Sequence, residues 1–469
     1  MAGKKTEMNK YANPNIKKVL KSQRENFCSG KTLPLSFRKD MLTRLRSAIL
    51  AHQHEVYDAL KKDLNKGEFE AYMTEVGPVM SEINLFLKKM KRWTKPYRVP
   101  TPLVLQPGVS KVYREPYGVT LIIAPWNYPF NLIMVPLIGA LASGNTAMIK
   151  TAPAAENTSE VIKKIISEAF EENYAAVFQG WNEVGAALLR EKYDYIFFTG
   201  STEFGRTVYQ SAADKLTPVT LELGGKSACI IADDADIELT ARRVVWGKFI
   251  NSGQTCVAPD YILISPAVKD EFIEALRIEI VKAYGENPEE SDDYGRIISS
   301  GHFKRLMKLM KKGKIIIGGE YNSKTRYIAP TVIEDIKPDD PIMKEEIFGP
   351  LLPIVNIHTL DEAINFVKHR PKPLALYIFT KSRKISDEVL NHTYSGGACI
   401  NDIMLHLVNE YLPFGGVGAS GIGAYHGEQS FITFSHERSV LEKSLFLDIK
   451  LRYFPSTPGK LKAIKKLIS

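Results

Sequence analysis

Cysteine is scarce in this chain, with four in 469 residues. Cys28, Cys229, Cys256 and Cys399 are far apart in unrelated contexts, and none pairs with another at metal-ligand spacing. That excludes a disulfide-stapled scaffold and leaves free thiols in a reducing cytoplasm as the expectation. The nine histidines show no ligand spacing either, so no metal site is expected. Signal-peptide character is missing too, since Lys4, Lys5 and Lys10 are followed by no apolar core. The longest apolar stretch, residues 130–142, is interrupted by Asn131, Pro136 and Gly139. It falls short of the ~20 residues that a bilayer demands. There is no internal repeat and no low-complexity segment. Charge leans basic, with 62 Lys and Arg against 53 Asp and Glu and a net +9. Much of the excess sits in residues 1–21 and 460–469, where no nucleic-acid motif accompanies it, so solvated terminal lysines are expected and no nucleic-acid partner.

What is present is length and alternation. A chain of 469 residues exceeds one compact core and implies two or three domains. Residues 36–65 and 68–92 read as amphipathic helices, with Leu42, Leu45, Ile49 and Val56 near helical spacing in the first. Pro96, Pro100, Pro102 and Pro107 then mark an extended excursion. From residue 119 apolar runs at 119–124, 146–150, 175–178, 195–199 and 219–223 alternate with helical segments. A second series has strands at 227–232, 261–264, 314–317, 352–356, 374–379 and 398–401, with helices ending near 252 and spanning 268–284. The join falls near Gly224-Gly225. Strands alternating with helices form βαβ units and parallel sheets buried on both faces, which bind ligands at the carboxyl ends of their strands. The fold class is α/β, with two doubly wound parallel-sheet domains. The loops Trp126-Asn127 and Gly200-Ser201 lie at such strand ends.

Some positions carry chemistry. A lone loop cysteine is ordinarily structural, but Cys256 follows Gly253-Gln254-Thr255, a polar turn with backbone N–H groups to spare. A nucleophilic cysteine needs a polar, partly exposed setting that lowers its pKa, and this turn fits that need. Cys229, inside an apolar strand, reads as core. Glu222 is flanked by Leu221 and Leu223 and followed by two glycines; a carboxylate in an apolar pocket has a raised pKa and serves as a general base near neutrality. Asn127, between Pro125 and Pro129, has an amide suited to a developing oxyanion, although an ordinary turn asparagine looks the same. Gly200 to Gly205 joins a strand to a helix. It is not the usual Gly-x-Gly-x-x-Gly pattern, but the helix start at Thr202 would aim N–H groups at a phosphate.

Six ordered motifs together are more specific. Pro125-Trp126-Asn127, Phe198-Thr199-Gly200-Ser201, Leu221-Glu222-Leu223-Gly224-Gly225, Gly253-Gln254-Thr255-Cys256, Glu346-Ile347-Phe348-Gly349-Pro350 and Pro413-Phe414-Gly415-Gly416 resemble the signature of the aldehyde dehydrogenase superfamily. The resemblance extends over roughly residues 35–434. The compact N-terminus, Val257-Ala258-Pro259-Asp260-Tyr261 and Gly423-Ala424-Tyr425-His426-Gly427 look most like its dimeric class 3 branch, which handles medium-chain, fatty and aromatic aldehydes with NAD or NADP. It implies Cys256 as nucleophile, Asn127 with the Cys256 backbone N–H as oxyanion donors, and Glu222 as the base that activates hydrolytic water. It also implies cofactor contacts: Lys150 on the adenosine ribose, Gly200 and Ser201 at the pyrophosphate, and Gly205 for close helix packing. Glu346 would hold the nicotinamide ribose and Phe348 would border the nicotinamide, with Trp126 and Leu223 as further cofactor contacts. The implied fold is aldehyde dehydrogenase-like. Residues 1–95 and 117–222 would form the N-terminal helices and a Rossmann-type dinucleotide-binding domain. Residues 223–400 would form the catalytic domain, with 96–116 and 401–469 as bridging, oligomerising segments and tail in a homodimer.

One departure bears on cofactor choice. Many NAD-preferring relatives carry a glutamate three residues after the strand-end lysine, whereas this chain has Pro153. Without that carboxylate, discrimination against a 2′-phosphate relaxes, and both NAD and NADP are expected. The tail at 461–467 sets apolar residues at helical spacing between lysines; a solvated or dimer-packed tail is expected ahead of a membrane contact. The rival readings are a coenzyme A-acylating dehydrogenase and a non-catalytic binding protein on the same fold. Glu222 argues against the first, because thiolysis needs no water-activating base. A retired fold would have no reason to keep Cys256, Glu222 and Asn127 together.

Overall fold

The computed structural model describes residues 16–468, so most of the basic stretch 1–21 lies outside the described residues. Strand-forming runs such as Val-Thr-Leu-Ile-Ile at Val119–Ile123 and Tyr-Ile-Phe-Phe-Thr at Tyr195–Thr199 are buried throughout, as strands covered on both faces must be. They belong to a six-stranded sheet ordered Gly421–Ile422, Val219–Glu222, Tyr195–Thr199, Val119–Ile123, Thr146–Lys150, Ala175–Phe178. All neighbours run parallel except Gly421–Ile422, which pairs antiparallel on Val219–Glu222. The helix Asn131–Ser143, apolar around its whole circumference, is buried between this sheet and the N-terminal helices.

A second, seven-stranded sheet runs Lys314–Ile317, Thr331–Glu334, Leu351–Asn356, Tyr261–Ile264, Ala228–Ile231, Ala375–Phe379, Gly397–Ile400. It too has one antiparallel edge, Lys314–Ile317 on Thr331–Glu334. Each sheet is therefore mixed at its rim rather than wholly parallel. The strand Thr331–Glu334, which directly follows Pro330, escapes sequence reading.

Two further departures from the sequence reading have local causes. The helix expected over 36–65 is broken into Leu35–Ala51 and Gln53–Leu64, and at the break the His52 ring sits between Glu55 (2.9 Å) and Glu168 (2.6 Å). The proline-rich excursion becomes a three-stranded antiparallel sheet in which Gly108–Pro116 lies between Tyr97–Val99 and Ser435–Lys443, in register from Pro116↔Ser435 to Gly108↔Lys443. The tail does form a helix, Pro458–Ile468. Among the described residues no helix is long and apolar enough to cross a membrane, and no group of His, Cys, Asp or Glu is placed to hold a metal.

Candidate active site

The first sheet ends its strands where the second domain's cysteine turn begins. Helix Ile237–Phe249 is capped by Asp236, whose carboxylate accepts from Leu239 N, and runs into a tight stretch at Ile250–Gly253. Asn251 and Ser252 are left-handed there, with φ 52° and 51°, a conformation costing about 1–3 kcal/mol each for residues with a Cβ. Surrounding hydrogen bonds hold it. Asn251 N donates to Glu70 Oε1 (3.0 Å), and Gln254 Nε2 donates to Asn251 O and Arg296 O, both at 3.0 Å. Ile298 N closes on Gln254 Oε1 at 3.0 Å. The turn that presents Cys256 is thereby fixed from three sides.

Cys256 keeps part of its surface open, and backbone N–H groups of Cys256 and Val257 face its sulfur. The sequence reading expected a lowered thiol pKa from such a turn. The structure reverses that expectation: burial first, then the nearby carboxyl groups of Glu346 and Glu222, push the thiol up to about 12. A thiol raised in this way needs a base to take its proton before it can act as a nucleophile. Cys229 is fully buried in Ala228–Ile231, as expected of core.

Glu222 ends the strand Val219–Glu222 and is 2% exposed. Neither of its carboxyl oxygens has a hydrogen-bond partner, and burial alone raises its pKa well above the usual carboxylate range. Asn127 is equally buried at 2%, and its amide donates to Gln254 O at 3.1 Å. One of its two N–H bonds is thus spent beside the cysteine turn and the other is left over. The structure brings Cys256, Glu222, Glu346 and Asn127 to one place, as their mutual electrostatics and the Asn127–Gln254 bond record.

Glu346 is fixed by its own loop. Arg305 donates to Glu346 O (3.2 Å) and Ile347 O (2.5 Å), and Ile347 N donates to Asp260 Oδ1 (2.9 Å). Asp260 in turn pairs with Lys226, whose ammonium also reaches Ile342 O and Glu345 O. The Glu346 carboxyl, pushed up to about 8 by burial and then by Asp260, leaves Oε1 unpartnered. Phe348 adopts φ 49° and meets the Trp126 ring edge-on at 5.3 Å; Trp126 also packs on His302 at 4.9 Å. On the far side, Lys150 spends two N–H bonds on Thr151 O and Gly180 O, both at 2.7 Å, and burial lowers its pKa to about 8. Ser201 caps the helix Thr202–Ala213 by accepting from Phe204 N. A methyl at Gly200 would meet Phe198 at 2.5 Å, and one at Gly205 would meet Leu223 at 2.5 Å, so both glycines mark close approaches. Unpartnered buried oxygens at Glu222 and Glu346, a helix N-terminus at Ser201 and a cationic strand end at Lys150 are the donor and acceptor set that a dinucleotide's pyrophosphate and riboses require.

Sequence reasoning missed the residues behind this surface. Lys66 and Glu75 form an ion pair at 2.7 Å with both side chains 0% exposed. Lys66 also donates to Asn127 O (3.0 Å) and lies 4.0 Å from the Tyr128 ring centroid. Tyr128 shares a 2.6 Å hydrogen bond with Thr255, next to the cysteine. No pattern in the sequence distinguishes Lys66, in the short loop between two helices, or Glu75, on an amphipathic segment, from solvated residues.

Comparison with known proteins agrees with this geometry. The aldehyde dehydrogenase family model matches residues 4–440. A Staphylococcus aureus protein named 4,4'-diaponeurosporen-aldehyde dehydrogenase is 47% identical over 94% of this chain and 96% of its own length. A mouse protein named "Aldehyde dehydrogenase, dimeric NADP-preferring" is 43% identical over 95% of this chain and 99% of its own. Among solved structures, a substrate-bound state of Staphylococcus aureus AldH superposes with a TM-score of 0.95 at 45% identity, covering 97% of this chain and 99% of that one.

Proposed function

Because this chain belongs to the aldehyde dehydrogenase family, in its class 3-like branch, and is an NAD(P)-dependent enzyme, we propose that it oxidises large apolar aldehydes to acids through a thioester on Cys256 that water hydrolyses. The observation that carries the hydrolytic route is Glu222, whose two buried oxygens are free of partners beside the cysteine. Glu222 takes the Cys256 proton, and the sulfur adds to the aldehyde carbon. The resulting oxyanion receives the unspent Asn127 N–H and the Cys256 backbone N–H, and one such donor contributes about 3 kcal/mol. When the oxyanion collapses, the carbon–hydrogen bond breaks and a thioester remains. NAD or NADP would supply the hydride acceptor when bound, and Lys150, Gly200, Ser201, Gly205, Leu223, Glu346, Trp126 and Phe348 would hold it. Once Glu222 has given up the cysteine's proton to solvent, it removes a proton from water as the water oxygen attacks the thioester carbonyl and hands that proton to the departing sulfur, releasing the acid and the thiol.

The substrate class rests on two supports. Leu405, Val408, Tyr411 and Leu412 leave large apolar surface exposed on one loop. That loop leads through Phe414 to Tyr425, a ring that feels the charges of Glu222 and Cys256. The Staphylococcus relative's name points the same way. A homodimer is part of the proposal, as the mouse relative is named dimeric. The three-stranded sheet and the exposed Leu103, Leu445, Phe446 and Phe454 would provide apolar surface for it. The division into 1–95 with 117–222, 223–400, and 96–116 with 401–469 is retained, except that Gly421–Ile422 joins the first part by pairing on Val219–Glu222.

The test is reduction of NAD or NADP with decanal or benzaldehyde and no coenzyme A. The intact protein turns over, Cys256→Ala does not, and Glu222→Gln slows by roughly 10²-fold or more in the first turnover as well as in the steady state. A strict requirement for coenzyme A would replace hydrolysis with thiol acylation.

A further inference from the structure

Lys66 and Glu75 make and break no bond in the steps above, yet both are withdrawn completely from water. A buried ion pair loses hydration that its own attraction only partly restores, so it is a poor device for stability alone. Its contacts are all with one loop. Lys66 Nζ reaches Asn127 O at 3.0 Å and stands over the Tyr128 ring. Glu75 Oε2 accepts from Phe130 N (3.2 Å) and Asn131 N (2.9 Å), while Asn131 Nδ2 donates to Thr74 O at 2.8 Å. The pair therefore grips the loop at Asn127, Tyr128, Phe130 and Asn131.

That grip extends to the cysteine turn. Asn127 O receives a second donor, Asn251 Nδ2, at 2.8 Å. Two donors on one carbonyl fix the plane of that peptide. The Asn127 side chain departs from the same residue, and its Nδ2 is tied to Gln254 O at 3.1 Å. With peptide plane and one amide hydrogen both fixed, the remaining hydrogen has a single direction. Glu75 reaches this position from a wide π-helical turn at Tyr72–Val76, inserted between Glu68–Ala71 and Gly77–Trp93. The extra residue of such a turn offsets the helix face by about 100°, and π turns of this kind concentrate at functional sites.

We infer that Lys66 and Glu75 form a clasp that aims the Asn127 amide at the oxyanion formed over Cys256, making them positioning residues for the carbon–sulfur bond-forming step. The inference rests on the reading of Cys256 as nucleophile and Asn127 as donor. Its action passes through Asn127, which separates it from a general structural role.

The experiment is a double-mutant cycle on the full chain. kcat/KM for decanal, cofactor dissociation constant and near-ultraviolet circular dichroism are measured for Lys66→Met, Glu75→Gln, Asn127→Ala and each clasp variant combined with Asn127→Ala. Glu75→Gln keeps the side-chain volume and one carbonyl acceptor, so it carries the cycle if Lys66→Met does not fold. Displacing a donor by about 1 Å costs on the order of 10²-fold, so each clasp variant is expected to lose ~100-fold in kcat/KM with cofactor affinity and spectrum unchanged. In the Asn127→Ala background the further loss shrinks to within about threefold, because the shared target is gone. Equal losses in both backgrounds, or wild-type activity in the clasp variants, overturn the inference. Wild-type activity in Asn127→Ala overturns it along with the donor role of Asn127. Turnover by Cys256→Ala in the same assay is a separate failure, that of the site reading itself.

Discussion

Gly224 stands two residues beyond Glu222 with a backbone conformation open to any residue, so a methyl group there meets no φ penalty. What it meets is Glu346. The Cβ of Gly224→Ala would lie 2.5 Å from the Glu346 carboxyl carbon and 2.8 Å from Oε1, where ordinary contact begins at 3.4 Å. Oε2 stands nearer still, so the carboxyl group must retreat by more than ~1 Å, and a misplacement of ~1 Å in a working site already costs roughly 10²-fold, or about 2.7 kcal/mol. Stability is affected far less, because the atoms that give way are the end of one side chain. Overpacking of that kind sits near the low end of the usual ~1–3 kcal/mol. Gly224→Ala is therefore expected to lose about 100-fold in kcat/KM, read from the absorbance of reduced cofactor, with a thermal midpoint within a few degrees of the parent. Glu346→Gln should show a loss of the same order, and the two together little more than either alone, since they act on one group. Full activity in Gly224→Ala would refute the reasoning. So would a loss that adds undiminished to that of Glu346→Gln, for then the methyl would be acting elsewhere.

Two other expectations are independent of that one. Glu82 accepts from Gly427 N at 2.9 Å and burial holds its pKa up at about 7, against 4.5 for an ordinary glutamate. Between those values the folded protein binds more protons than the unfolded chain, so stability falls as pH rises from 4.5 to 7 and levels off above. Glu82→Gln, which keeps the carbonyl acceptor, should match the parent near pH 4.5 and exceed it by up to about 3 kcal/mol at pH 8. Denaturant melts at the two pH values decide this, and an equal gap at both would remove the titration from the account. Pro153→Glu should lower kcat/KM for NADP while sparing NAD, through repulsion of the 2′-phosphate; an unchanged NADP to NAD ratio would place cofactor choice elsewhere.

The alternation of strands and helices was legible because strands buried on both faces read as unbroken apolar runs, as in Val119–Ile123 and Ala375–Phe379. The antiparallel rims were not. Gly421–Ile422 is two residues long and finds its partner some two hundred positions away, beyond any local pattern. Gly108–Pro116 and Ser435–Lys443 are nine residues each, but they pair across more than three hundred positions. At the site, motif flanks singled out Cys256, Glu222 and Asn127 and the structure places them together, but the state of the thiol was misjudged. A polar turn suggests a stabilised thiolate, whereas the carboxyl groups that oppose it come from strand ends and loops distant in sequence. Lys66 and Glu75 illustrate the deeper limit. A lysine in a short loop and a glutamate on an amphipathic segment look solvated until the loop they enclose is seen.

The short strand Gly421–Ile422 closes the first sheet from a point late in the chain. It covers the backbone edge of the strand that ends in Glu222, and Leu223 N donates to Ser420 O at 3.0 Å. The ribosome makes Glu222 and Cys256 long before residue 420 emerges. Until then the sheet presents an open edge at the base, the kind of surface that recruits stray strands. A chain cut short between Phe348 and that strand thus carries Asn127, Glu222, Cys256 and Glu346 but leaves the edge of Val219–Glu222 uncovered.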